Sequence, residues 1–324
     1  AYNDYCIATM AKILLDSKKD KTKGFGTGWD DKNIYRKEED YQKYLKRSQS
    51  YKNLFDSETG FMRPRQNGGF VSPFKPNEVT FHFTEGNSWV YSFFVPHDVH
   101  GLIDLYGGKA NFAKKLDELF TTKDELTGRE QPDITGLIGQ YAHGNEPSHH
   151  IGYLYNYAGQ PWKTQKLVRQ INDEFYKNDP DGLIGNEDCG QMSAWFILSS
   201  LGFYQVNPSV PRYDIGTPLF KEAKIKLENG KTFTIKAPDV SDKNFYVKSV
   251  KLNGEWHKST MFRHRDITEG KTLEFEMTDT PYEWRLTEFS TSFVSNSEFM
   301  TVPLIEAKDR VFKGSTSVSI KSNS

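Results

Sequence analysis

The sequence predicts a mainly α chain with a β domain at its end, the helices pairing into a toroid. Three observations predict it. Apolar residues recur at helical spacing through the first two-thirds of the chain, between glycine- and proline-rich connectors. Three loops carry a Gly-Asn pair beside an acid and break directly into an aromatic-rich stretch that reads as helix. After Tyr204 the pattern changes to short alternating strands separated by Asn-Gly turns.

Taken in order, residues 4–15 place Cys6, Met10, Ile13 and Leu14 at helical spacing, and a lysine-rich stretch follows over 18–23. Residues 39–54 repeat the pattern with Tyr41, Tyr44, Leu45, Tyr51 and Leu54. Connectors fall at 60–76, 107–108, 131–132 and 159–161, where glycine and proline interrupt periodicity. Further helices fit 89–106, 110–120, 148–157, 164–176 and 191–201. Residues 207–218 are rich in proline and glycine and read as turns. Strands fit 223–227, 231–237, 244–252 and 272–277, with Asn229-Gly230 and Asn253-Gly254 as hairpin turns. Residues 290–297 are a Ser/Thr-rich linker, and 301–320 read as the opening strands of a further β module. The expected division is 1–215, helical; 216–288, a small antiparallel β domain; and 289–324, the linker and the start of that module.

With 324 residues the chain is long enough for two domains, or one large domain and a satellite. A net charge of −1 offers nothing to a nucleic-acid backbone or an acidic surface. No apolar run is long enough to span a bilayer. The chain opens abruptly inside a structured segment, without a signal peptide, and reads as a fragment. Cys6 and Cys189 are either two isolated thiols or a disulfide, so the redox compartment stays open. Aromatic residues make up 14%, which suits both a packed core and platforms for sugar rings.

The three loops hold the chemistry. Gly185-Asn186-Glu187-Asp188-Cys189-Gly190 precedes Gln191-Met192-Ser193-Ala194-Trp195. Thr84-Glu85-Gly86-Asn87-Ser88-Trp89 precedes an apolar run, and His143-Gly144-Asn145-Glu146-Pro147-Ser148-His149-His150 precedes Ile151 to Tyr155. Glycines permit tight open turns, and a helix start leaves N–H groups free to hold oxygens. Asp188 therefore reads either as a carboxylate that activates water or as a helix cap with surface acids around it. His149 and His150 are adjacent, so on a helix they diverge by about 100° and do not share one metal. His143 and His149 fit structural hydrogen bonding as well as ligation. Trp89, Trp162 and Trp195 fit core packing as well as stacking on a sugar.

These blocks, together with Val95-Pro96-His97-Asp98, residues 136–142, Gly159-Gln160-Pro161-Trp162-Lys163-Thr164-Gln165 and Ile215-Gly216-Thr217-Pro218-Leu219-Phe220, resemble glycoside hydrolase family 92, the calcium-dependent exo-acting α-mannosidases. The resemblance runs from about residue 2 to 286, in the expected order. It implies part of a C-terminal (α/α)6 barrel, incomplete at its N-terminal side, followed by small antiparallel β-sandwich-like modules. It also implies a partner N-terminal β-sandwich domain, absent from this chain, that completes the substrate pocket.

The implied reaction is inverting hydrolysis of terminal α-linked mannose, α-1,2 or α-1,3, from high-mannose N-glycans or mannan. Inversion needs an acid and a base roughly 6.5–9.5 Å apart. By resemblance Glu85 is the acid and Asp188 the base. Asn186 stands where many members carry a second acid, and an amide orients water without taking its proton. Calcium is the implied cofactor, with Asn145, Glu146 and Gln191 as ligands, since a hard cation takes oxygen donors. His143, Trp89 and Glu146 are the implied substrate contacts. Glycan substrates imply a periplasmic, cell-surface or secreted location. The alternative is a non-catalytic calcium-dependent mannose-binding protein, against which retention of Glu85 and Asp188 argues.

Overall fold

A computed structural model describes residues 1–19, 32–282, 286–292, 294, 299–307, 309 and 311–322. Its chain divides into two compact units, residues 1–76 with 292–324 and residues 77–291. No described helix is long and apolar enough to cross a membrane.

In the first unit α1 (Tyr2–Lys19) packs on α2 (Lys32–Arg47). The buried stripe of α1 is Ala8, Ala11 and Leu15, while Met10 and Ile13 are 57% and 56% exposed. The expected Met10/Ile13 face is thus the outer one. Small residues line the inner face instead, which lets two helices approach closely, and Arg47 closes the pair on Asp4 at 3.1 Å. The lysine-rich stretch falls outside the described residues from 20 onward, as do 293 and 295–297 of the linker. Two strands of the expected further module form, Leu304–Ala307 against Val318–Lys321. Arg65 holds that segment, donating to the Val302 and Pro303 carbonyls at 3.0 and 2.6 Å.

The second unit mixes helix and sheet. Its helices are α3 (Ser88–Tyr91), α4 (Val99–Leu105), α5 (Lys109–Thr121), α6 (Pro161–Phe175), α7 (Gln191–Ser200) and α8 (His264–Thr268). The single helix expected over 89–106 is broken in two. Pro96 cannot donate into a helix ladder, and Asp98 starts afresh by accepting from Gly101 N at 3.2 Å. Residues 148–157 form 3-10 turns, Glu146–Ser148 and Ile151–Asn156, in place of an α-helix. Pro161 opens α6, where a missing N–H costs nothing.

A five-stranded sheet runs in the order 222–226, 232–236, 272–278, 246–252, 255–256. Strand Thr272–Thr278 shows why: Leu273, Phe275 and Met277 point inward and the residues between them outward. Burying each such side chain contributes about 1.5–3 kcal/mol. Asn253 and Gly254 both take positive φ, 55° and 85°, and join 246–252 to 255–256 in the expected tight turn. The domain is not purely antiparallel, because 232–236 pairs with 272–278 in parallel. The stretch read as turns over 207–218 contains a strand, Arg212–Pro218, between Leu201–Tyr204 and Met261–Arg263. Its sequence lacks alternation, and Gly216 is set by packing: a Cβ there would lie 3.0 Å from the Tyr153 ring. Phe203, Ile215, Phe233 and Phe262 pack with the sheet residues into one core. Helix α6 lies against 212–218 and 246–252, joining the helical part to the sheets.

Candidate active site

Each of the three loops is shaped locally before it meets the others. Asn87 caps α3, its Oδ1 accepting from Val90 N at 3.4 Å. Asn145 precedes the Glu146–Ser148 turn but makes no cap hydrogen bond, so its amide turns elsewhere. Asp188 and Cys189 both take left-handed backbone, φ 51° and 58°, ahead of Gly190 at 86°. Such φ values cost L-residues about 1 kcal/mol or more and collect at functional sites. Glu187 accepts from Ser193 N at 3.0 Å and Ser193 Oγ at 2.9 Å, capping α7. The cap role that the sequence offered to Asp188 thus belongs to its neighbour.

Two glycines let the second and third loops touch. A Cβ on Gly144 would meet Thr135 Oγ1 at 2.0 Å, and one on Gly185 would meet the same atom at 2.5 Å and Gly144 Cα at 3.5 Å. Any side chain at either position would push the loops apart. The first loop is drawn in by Asn145, whose Nδ2 donates to Glu85 Oε2 at 3.1 Å. Glu146 is hydrogen-bonded to Asp188 and feels the Glu85 carboxylate as well. Its carboxyl is raised above the usual range, first by burial and then by those two acids. Glu85, Asn145, Glu146 and Asp188 therefore share one site. Two carboxyls in contact need a proton or a cation between them, and Asn145 Oδ1 is buried without a partner.

Behind the acids lies a buried aromatic and histidine cluster. His143 is fully buried, its Nδ1 bonded to Tyr141 Oη at 2.8 Å and its Nε2 to Tyr176 Oη at 2.7 Å. His149 Nε2 meets the His143 carbonyl at 2.8 Å, and Gln191 Nε2 meets His149 Nδ1 at 3.2 Å. Trp195 Nε1 donates to the His149 carbonyl at 2.9 Å, tying α7 to the second loop. Burial lowers all three histidines, His149 and His150 to about 4, so the rings stay neutral.

The other expected site residues have partners of their own. Asn186 is exposed and donates to Asp133 Oδ1 at 3.0 Å. Trp89 is buried, with Lys115 Nζ 4.5 Å from its ring centroid. Both ring nitrogens of His143 are taken by tyrosines, and the Gln191 amide reaches His149 and Tyr204. Among described residues no group of three or more His, Cys, Asp or Glu is placed to hold a metal ion. Cys6 and Cys189 are free thiols.

Two supports escape a reading by motif. Gln140 is buried, accepts from Asn87 Nδ2 at 3.0 Å, and donates to the Lys123 and Glu125 carbonyls at 2.5 and 3.2 Å. It holds the turn that carries Glu85. Tyr91 lies against Gly86 and between the Phe83 and Phe94 rings, its hydroxyl bonded at Thr84. Burial and the nearby Glu85 and Glu146 raise that hydroxyl above its usual range. Only the Gly-Gln-Tyr order around Gln140 hints at it, since its partners lie far away in sequence.

Residues 1–279 match the glycosyl hydrolase family 92 catalytic domain. A family 92 α-mannosidase from Bacteroides thetaiotaomicron is 41% identical with a TM-score of 0.75, covering 92% of this chain and 36% of that one. A family 92 inverting mannosidase from Bacteroides thetaiotaomicron VPI-5482 is 32% identical with a TM-score of 0.72, covering 93% and 38%. A curated relative from Arthroderma benhamiae, described as an uncharacterized secreted glycosidase, is 27% identical over 311 residues, 88% of this chain and 35% of the relative. The chain thus spans little more than a third of the length of these relatives.

Proposed function

The chain belongs to glycosyl hydrolase family 92, and from that premise we propose that it carries catalytic residues of an inverting exo-α-mannosidase. The observation that carries the reading is the convergence of Glu85, Glu146 and Asp188 with Asn145. Similarity to α-mannosidases, one described as inverting, supports both the sugar and the stereochemistry.

In this mechanism Glu85 gives its proton to the glycosidic oxygen as the C1–O bond breaks. Asp188 takes a proton from the water that attacks C1 from the opposite face. Asn145 orients Glu85 through its Nδ2 bond, and Asn186 holds the third loop on Asp133. The closed histidine cluster keeps the floor rigid and excludes water. The substrate is terminal α-1,2- or α-1,3-linked mannose on high-mannose N-glycans or mannan.

Calcium belongs to the proposal. The residues fit it through oxygen: Asn145 Oδ1 lacks a donor, and the Glu146–Asp188 contact calls for positive charge. Asn145 and Glu146 would hold the ion, with Gln191 completing the set after release from His149. When bound, it supplies Lewis-acid contact to sugar hydroxyls. The (α/α)6 barrel, the boundaries 1–215, 216–288 and 289–324, and an N-terminal β-sandwich partner are likewise proposed. A secreted, periplasmic or cell-surface location accords with the secreted relative.

The test is mannose release from an α-linked mannobiose by the full-length protein, with calcium or with chelator. Release that stops with chelator and returns with calcium is expected. If mannobiose binds but no mannose appears under any condition, the enzyme reading fails.

A further inference from the structure

Away from the carboxylate site, the second unit carries a groove lined by His100, Lys109, Arg212, Arg263, Glu288 and Phe289. Arg212 and Arg263 face each other directly across the antiparallel pair 212–214/261–263. The ladder bonds His264 N to Pro211 O and Ile215 N to Thr260 O flank them, at 2.9 and 2.8 Å. The two arginines therefore occupy a non-hydrogen-bonded pair, where Cα atoms sit about 4.5 Å apart and side chains are closest. Like charges directly opposite destabilise a sheet.

No described ion pair within 4 Å cancels that repulsion, although the Arg212 charge is felt by the buried Asp214 carboxylate. Arg212, Arg263 and Lys109 make no salt bridge with any described residue, and Lys109 lies 5.1 Å from the Phe289 ring centroid. Glu288 lines the groove and bonds through its backbone to Lys258 and Thr260. Asp214 shares the arginine face of its strand but is buried, with one carboxylate oxygen unpartnered. Three cations thus line a recess with the Glu288 acid, and the buried Asp214 lies within range of Arg212, in a chain whose net charge is −1.

We propose that this groove binds a tetrahedral oxyanion, a phosphate or sulfate group, between the Arg212 and Arg263 guanidiniums. Adjacent planar forks match two oxygens of such a group, and its charge relieves the like-charge pair. Lys109 supplies a third contact from the first residue of α5. This site is independent of the mannosidase reading, since none of the carboxylate-site residues lines it.

Calorimetry of the whole chain with inorganic phosphate, inorganic sulfate and a hexose 6-phosphate tests it, at constant ionic strength. Saturable one-site binding is expected for at least one of them. Tighter binding of the ester points to a phosphorylated sugar as the source, and equal binding to free phosphate. Arg212→Gln and Arg263→Gln should each weaken binding about tenfold or more, and Lys109→Gln by less. Without ligand, Arg263→Gln should melt no lower than wild type, because a repulsion is removed. Absence of saturable binding, or unchanged affinity in both arginine variants, overturns the proposal. Intact mannose release in these variants shows that the two sites fail separately.

Discussion

Residues 77–200 and 201–291 belong to one compact unit but are stabilised in different ways. The sheet part is built from apolar alternation: Phe233, Leu273 and Phe275 are nearly or fully buried, and hairpin turns join its strands at Asn-Gly pairs. The helical part has an apolar core too, with Leu102, Phe112, Leu116 and Ile171 buried, but adds to it polar groups taken out of water and paired. His143, His149, His150, Asn87, Gln140 and Asn145 are all buried there, each with a named partner. An apolar core tolerates small shifts, whereas a buried polar network holds its shape only when every member is placed. A site that must fix carboxylates against each other is therefore found in the second kind of interior.

The largest effect expected tests whether the site can be emptied without disturbing its frame. Asp188→Ala should lower kcat by about 10²–10⁴, while the melting temperature changes little because Asp188 is exposed. Kinetics of mannose release beside a thermal melt would show it, and near-wild-type kcat would remove Asp188 as the base. The reverse dissociation is expected in the sheet part. Phe233→Ala should cost about 3–5 kcal/mol in urea unfolding, with kcat of the remaining folded protein kept.

pH should separate the two parts. His149 and His150 have folded values of about 4, below their unfolded values. Their contribution is complete above the unfolded value and is lost as pH falls toward 4, by roughly 2 kcal/mol each at pH 5. Asp214, in the strand Arg212–Pro218, is raised by burial to about 7. Its contribution has the opposite sign: complete below about pH 4 and lost as pH rises through 7. Asp214→Asn should remove that loss, so that stability rises more steeply with pH between about 4 and 7 and is unchanged in slope above that window. A curve unchanged by this substitution would mean that Asp214 ionises in the fold as it does unfolded.

A smaller effect probes the support for Glu85. Gln140→Ala strands Asn87 Nδ2 and two carbonyls, a loss of about 1–3 kcal/mol. If it also positions the acid, kcat should fall more than KM rises, and Gln140→Glu, which has no donor for the two carbonyls, should not recover the stability. The smallest effect should come from the sheet surface. Lys248 and Glu276 pair at 2.6 Å but are both exposed, so Lys248→Gln should melt within error of wild type.

The same contrast explains what was readable from residues alone. In the sheet part, alternation at 272–277 and the Asn253-Gly254 turn are local properties, and both appear where expected. Reading failed where local chemistry was overruled. Residues 207–218 look like turns, yet 212–218 is a strand because two neighbours pair with it and Tyr153 packs on Gly216. Helical spacing in α1 marked Met10 and Ile13, but α2 packs on the alanines.

By itself the sequence determined the family, the helices near 110–120, 164–176 and 191–201, the strands of the five-stranded sheet near 223–227, 231–237, 244–252 and 272–277, and the three loops bearing Glu85, Glu146 and Asp188. These rest on residue type and short spacing, which a chain carries before it folds. Tertiary structure decided the rest: that Glu146 touches Asp188, that Asn145 reaches Glu85, and that Glu187 caps a helix. It also sent Trp89 and His143 into the core. Such contacts join segments tens of residues apart, and they depend on glycines at 144 and 185 whose empty space has meaning only once Thr135 fills it.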